Sequence, residues 1–165
     1  MAGRPRQDHR GPHRRGKPEI PWPSAKRPAP DRETIRSLQE RAKELTCLYR
    51  VDEVLARQAA TLDEVFADII AVIPPGWKYP AACQARIVWD GRSFSSPGYI
   101  ETEWRLTAPL YRDQAQRGAI EVSYTAAMAE EDTGPFLNEE VRLIHAIAER
   151  LSIFLRQTEP ESAAG

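Results

Sequence analysis

Residues 104–124 read WRLTAPLYRDQAQRGAIEVSY. Trp104, Leu106, Ala108 and Leu110 alternate with Arg105, Thr107 and Tyr111. After a polar turn (Asp113–Arg117, then Gly118), Ile120, Val122 and Tyr124 alternate with Glu121 and Ser123. A period of two sends successive side chains to opposite faces of a strand, so each segment has an apolar and a polar side. Two such segments joined by a short link pair antiparallel, with one face toward a core and the other toward water.

The same signals recur upstream. Gln84–Trp89 is partly β-branched and aromatic, and Asp90-Gly91 is a two-residue hairpin turn leading into Arg92–Phe94. Helical periodicity flanks the strands. From Glu33 to Arg57, Ile35, Leu38, Ala42 and Leu45 are spaced 3-4-3, and Leu48, Val51 and Leu55 continue the stripe with a small drift. Thr61-Leu62-Asp63-Glu64 has capping-box spacing and opens a second helix, whose apolar side ends at Pro74-Pro75-Gly76. An acidic loop, Ala126–Pro135, precedes a last helix with Asn138 as the expected N-cap. In it Leu137, Val141, Ile144, Ala148, Leu151 and Leu155 form a heptad-like seam, with Leu143, Ile147 and Phe154 beside it. Two helices, four strands and a helix in that order predict an α+β fold. Its core is an antiparallel sheet of about four to six strands, with N- and C-terminal amphipathic helices packed on one face.

The 165 residues carry 23 Lys+Arg and 24 Asp+Glu, a net charge of −1. That average hides a split. Residues 1–32 hold nine basic and three acidic side chains, while the remaining 133 hold 14 and 21. Seven of the 14 prolines also fall in the first segment, with six apolar residues. So little apolar surface cannot offset the entropy of ordering a chain. Residues 1–32 therefore read as a basic, Pro/Arg-rich disordered tail, residues 33–157 as one domain, and residues 158–165 as a flexible C-terminal tail. No apolar run approaches the ~18 residues of a membrane helix, and no apolar h-region follows the basic N-terminus. Two cysteines, Cys47 and Cys83, do not make a disulfide scaffold. Reduced thiols in a cytoplasm are the simplest reading.

Catalytic patterns are missing. There is no phosphate-binding or dinucleotide-binding glycine motif, no H-E-x-x-H and no C-x-x-C pair. His9 and His13 lie in the tail, and His145 sits mid-helix beside the apolar seam. Cys47 and Cys83 fit buried, inert thiols. Glu101/Glu103 and Glu130-Glu131-Asp132 fit solvated loop charges better than acid/base pairs or cation ligands. Neither enzyme activity, nor a metal, nor a cofactor is expected. Nucleic acid is a plausible partner only for the basic tail, through a salt-sensitive electrostatic term. The candidate ligand-contacting set is aromatic and cationic, near the strands: Trp77, Tyr79, Arg86 and Trp104, with Trp89, Tyr99 and Arg105 close by in sequence.

Seven stretches taken in order carry a family resemblance: Glu44–Tyr49, Ile73–Pro80, Ala85–Gly91, Glu101–Trp104, Gly118–Tyr124, Gly134–Leu137 and Ala146–Leu151. Together they resemble the GAF-like sensory domains of bacterial sensor histidine kinases, diguanylate cyclases and phosphoenolpyruvate-synthase-like proteins, over roughly residues 40–157. The resemblance implies regulation rather than catalysis: a domain that senses a small molecule and transmits a change along its terminal helices, commonly as a homodimer. Leu38, Leu45, Leu48, Val141, Ile144, Leu151 and Leu155 are the residues expected at the dimer helices. The Asn-Lys-Phe-Asp-Glu set of cyclic-nucleotide-binding members is absent, and no cysteine stands where a bilin would attach. Only Ser95–Glu103 separate the second strand from Trp104, too short for the helical roof of larger members, so any pocket should be small, open or missing. No kinase or cyclase segment follows, so the expected output is a separate protein or the dimer state itself. The alternative is a non-sensing adaptor whose basic tail binds a polyanion or an acidic partner.

Overall fold

The computed structural model describes Gly3 and residues 28–58 and 60–158. The expectations for most of the N-terminal tail and for residues 159–165 lie outside these. The elements are α1 (Arg32–Leu55), α2 (Leu62–Val72), β1 (Cys83–Trp89), β2 (Arg92–Ser95), β3 (Arg105–Arg112), β4 (Ala115–Tyr124) and α3 (Asn138–Gln157), with 3-10 turns at Pro74–Gly76 and Pro80–Ala82. The fold is α+β, as the strand and helix periodicities indicate.

The sheet order is β2-β1-β4-β3, antiparallel throughout. Ala85, Ile87 and Trp89 of β1, Ile120, Val122 and Tyr124 of β4, and Leu106, Ala108 and Leu110 of β3 are all buried on one face. The register sets Ala85 opposite Val122 and Leu106 opposite Val122 in turn, so these side chains form continuous rows. Alternation alone specified which face is dry. Pro109, which has no N–H to donate, sits on the edge strand, where its loss from the ladder is tolerated.

Of the two hairpin turns, the first matches the sequence and the second is tighter than it suggests. Asp90 and Gly91 both have positive φ (48° and 80°), the two-residue turn expected of Asp-Gly. In the second hairpin the turn is Asp113-Gln114, at φ 49° and 69°, and β4 already begins at Ala115. Gly118 is therefore a strand residue rather than part of the link. A Cβ there would stand 1.9 Å from the Val88 carbonyl oxygen, so it permits close backbone approach.

Helix ends follow local chemistry. Asp31 Oδ1 accepts the Thr34 N–H at 2.7 Å and caps α1. Thr61 and Glu64 make the expected reciprocal box at the start of α2. Asn138, expected as the N-cap of α3, is instead its first residue. Two carboxylates supply the cap: Asp132 Oδ2 accepts the Asn138 N–H at 3.0 Å, and Glu140 Oε1 accepts the Leu137 N–H at 2.9 Å.

The helices gather on the apolar face in two tiers. α2 covers the β1–β2 half of the apolar face and α3 the β3–β4 half, while α1 packs chiefly against α2, α3 and the Pro74–Gly76 turn. Two helices already fill a four-stranded face, so the N-terminal helix rides on the helical layer. α1 and α3 run parallel. Asp52 pairs with Arg150 at 3.0 Å, and one helical stretch earlier Glu44 feels the charges of Glu139 and Arg142. At 1.5 Å rise per residue, the α1 residues before that level extend roughly 15 Å beyond the first turn of α3. Residues 32–39 are all exposed.

Candidate functional site

The four residues expected to contact a ligand are divided among separate places. Trp77 is fully buried and belongs to the core, although its indole N–H has no acceptor among the described residues. That burial removes it from any accessible wall. Tyr79 is half-buried, with its ring edge-on to Tyr124 at 5.5 Å. Trp104, also half-buried, lines a shallow cleft with Arg105 and the Thr133–Phe136 turn.

Arg86 lies on the opposite, polar face of the sheet. Its guanidinium bonds Glu121 at 2.6 Å and Glu101 at 2.8 Å and stacks over the Tyr99 ring at 5.0 Å. Both carboxylates raise the guanidinium pKa, and Arg86 in turn holds Glu101 below the usual carboxylate range. The cation is thus already neutralised within the domain. Beside it the 96–104 segment folds over the sheet: Gln84, buried, donates to the Ile100 carbonyl and to Ser123 Oγ (2.9 Å), and accepts the Ile100 N–H at 3.1 Å. The short connection closes this end of the face with its own polar groups.

A buried polar corner was not visible in the sequence. Glu140 is 2% exposed and gathers three donors: the Leu137 N–H at 2.9 Å, the Lys78 N–H at 3.1 Å and the Tyr124 hydroxyl at 2.9 Å. Burial pushes its carboxyl pKa up, and the three hydrogen bonds oppose that shift. Tyr124 stacks on Phe136 at 4.9 Å, and the Lys78 ammonium pairs with Glu131. Its only sequence signal is position: Glu140 is the third residue of α3, where a carboxylate reaches back to backbone N–H groups. The corner pins the 77–82 segment, β4 and the 131–137 loop to the start of α3.

The thiols are held protonated. Burial pushes Cys47 up to about 11 and raises Cys83 further, with Glu140 adding to the latter. His145 is exposed on α3. Among the described residues, no group of three or more His, Cys, Asp or Glu side chains could hold a metal ion.

The expected dimer residues separate cleanly. Ile144, Leu151 and Leu155 are completely buried within the single chain, and Val141 and Leu48 are half-buried. The α3 seam is consumed by the sheet and α1. By contrast Leu38 and Leu45 are 60% and 63% exposed, and Ile35 and Tyr49 are exposed with them. Together with exposed Ala42, they make a row at 35, 38, 42, 45 and 49, spaced 3-4-3-4. The stripe that the sequence carries through Leu48 to Val51 therefore splits. Cys47, Val51 and Val54 turn inward, while the earlier row runs on to Tyr49.

No helix among the described residues is long and apolar enough to cross a membrane. No protein-family model matches the chain, and no curated protein matches it either.

Proposed function

We propose that residues 33–157 form a GAF-like regulatory domain of bacterial signal transduction, which pairs with a second copy through α1 and passes a signal along that helix. The observation that carries this reading is the exposed row Ile35, Leu38, Ala42, Leu45 and Tyr49. It has coiled-coil spacing, and the domain itself leaves it uncovered. Burying each of its large side chains in a helix pair would contribute about 1.5–3 kcal/mol. In a parallel, in-register pair the flanking positions would set Thr34 against Gln39 and Arg41 against Thr46, with no like charges opposed. The antiparallel sheet, the α1 overhang and the parallel α1–α3 pair all suit such a transmitter. Thiols held protonated favour regulation over nucleophilic catalysis, and reduced thiols suit a cytoplasmic setting.

Sedimentation velocity tests the pairing. The native chain should run as a dimer at tens of micromolar, and Leu38→Lys with Leu45→Lys should make it a monomer with unchanged circular dichroism. A native chain that is monomeric at that concentration defeats the proposal. In the paired protein, a separate output protein or the dimer state itself would carry the signal onward. A second reading, an adaptor acting through its basic tail, rests on the charge split at residue 32. Deleting residues 1–30 would abolish polyanion binding under that reading and leave the pairing of α1 intact under the first.

A further inference from the structure

α1 and the turn that follows α2 enclose a groove of about 440 Å³, within the size range of small-ligand sites. Its floor is Cys47, 2% exposed, and the buried backbone of Gly76, and Val72 and Pro75 form one wall. The glycine fixes the depth: a Cβ at position 76 would stand 2.8 Å from Cys47 Cβ. The other wall is the α1 surface carrying Ala42, Lys43, Thr46 and Arg50.

Nearly every polar group here is already engaged within the chain. The Cys47 thiol donates to the Val72 carbonyl at 3.5 Å, and the Thr46 hydroxyl donates to the Ala42 carbonyl at 2.8 Å. Lys43 is paired with Glu40 at 3.3 Å. Glu40, the partner of Lys43, also lines the groove, and of the groove's charged side chains Arg50 alone has no hydrogen bond or ion pair among the described residues. It stands close enough to the floor for its charge to act on the Cys47 thiol. An apolar trough with one uncompensated guanidinium at its margin complements a small ligand with an apolar body and a single negative charge.

We infer that this groove binds a short-chain apolar monocarboxylate, its chain along Cys47, Val72 and Pro75 and its carboxylate on Arg50. A guanidinium holds a carboxylate in a two-pronged, charge-assisted pair that an ammonium or a neutral head cannot reproduce. Ala42 belongs both to this groove and to the exposed row of α1. An occupant would therefore lie beside a second copy of the helix and bias the pairing, a coupling that rests on the dimer reading above, as the binding itself does not.

Isothermal titration of the full chain with sodium octanoate tests the site, with octylamine and sodium acetate as controls for charge and chain. Octanoate should bind saturably at one site per chain, and neither control should match it. Thr46→Trp, which fills the trough from an exposed helix position, should abolish binding. Arg50→Gln should weaken it about tenfold, the loss of one charge-assisted contact. Octanoate should also slow alkylation of Cys47 in a Cys83→Ser background. Absent saturation, binding untouched by Thr46→Trp, or equal binding of octylamine each overturns the inference. Repeating the titration on Leu38→Lys/Leu45→Lys separates the two readings. Octanoate bound by a chain that never pairs keeps the site and removes the dimer, whereas a native dimer that ignores octanoate removes the site alone.

Discussion

The Tyr124 hydroxyl donates to Glu140 Oε2 at 2.9 Å, joining the last residue of β4 to the first turn of α3 where neither side chain meets solvent beyond 2%. Tyr124→Phe removes one of three donors while keeping the ring stacked on Phe136. It should cost about 1.5–3 kcal/mol, the range for a hydrogen bond to a buried charged group. Glu140→Ala leaves the Leu137 and Lys78 N–H groups without acceptors and should cost more than Tyr124→Phe. Urea denaturation of the three proteins gives the order, and equal midpoints for both variants and the native chain would refute it.

The same carboxylate sets a pH dependence. Burial raises the Glu140 pKa in the folded chain above its ordinary value of 4.5. Between those two values the native state holds a proton that the unfolded chain has released, so stability falls as pH rises. The favourable contribution is complete below pH 4.5 and gone above the folded value. Glu140→Gln cannot titrate. The melting temperature of the native chain minus that of Glu140→Gln should therefore decline as pH rises from 4.5 and then level off. Parallel melting curves across that range would show that Glu140 does not titrate differently in the two states. Glu44, raised by burial and by Glu139, moves in the same direction and is present in both proteins.

Among the described glycines, Gly118 is the least tolerant of a methyl group. Its Cβ would meet the Val88 carbonyl oxygen at 1.9 Å and Trp89 Cα at 3.0 Å, both backbone atoms that cannot swing aside. Gly118→Ala must separate β1 from β4, the central pair of the sheet, and should cost about 3 kcal/mol or more. Gly91→Ala adds its methyl to open space, and only the φ of +80° resists it, for about 1 kcal/mol. Chemical denaturation distinguishes a threefold ratio from equality.

Arg86 predicts a titration rather than a stability change. Its guanidinium holds Glu101 below the usual carboxylate range through a direct hydrogen bond and through charge. In Arg86→Gln the Glu101 resonance, followed by NMR against pH, should return to the ordinary range. An unmoved titration would mean that the Arg86–Glu101 contact does not persist in solution.

The sequence was most readable where one period dominated. Alternation from Leu106 to Tyr124 identified the buried face of β3 and β4, because a strand sends neighbours to opposite sides, whereas Trp104, expected on the same face, lies before β3 and stays half-buried. Asp90-Gly91 and Thr61–Glu64 carried their own turn and cap chemistry. Legibility failed where tertiary partners decide. Gly118 looks like a turn glycine until the Val88 carbonyl is known to lie against it. Glu140 looks like one of two helix-start acids until Tyr124 and Lys78 arrive from elsewhere in the chain. Trp77 and Arg86 are each of a residue type common at ligand sites, but one is core and the other is ion-paired on the far face. The seven leucine, isoleucine and valine positions on the terminal helices share a pattern that cannot distinguish a face buried at home from one left for a partner.

That distinction has a direct test in two leucines. Leu151 on α3 is completely buried, whereas Leu45 is 63% exposed on α1. Leu151→Ala opens a cavity in the core and should cost about 2–5 kcal/mol whatever the protein concentration. Leu45→Ala removes nothing from the core, so in dilute solution its effect should stay within about 0.5 kcal/mol. Its cost should appear only as concentration rises, because a side chain buried by a second copy stabilises the folded state by mass action. Melting temperatures at a low and a high protein concentration separate the two. Leu151→Ala should be shifted equally at both, and Leu45→Ala only at the higher. A Leu45→Ala deficit that persists in dilute solution would place that side chain in the core of the single chain and remove the main support for a helix pair.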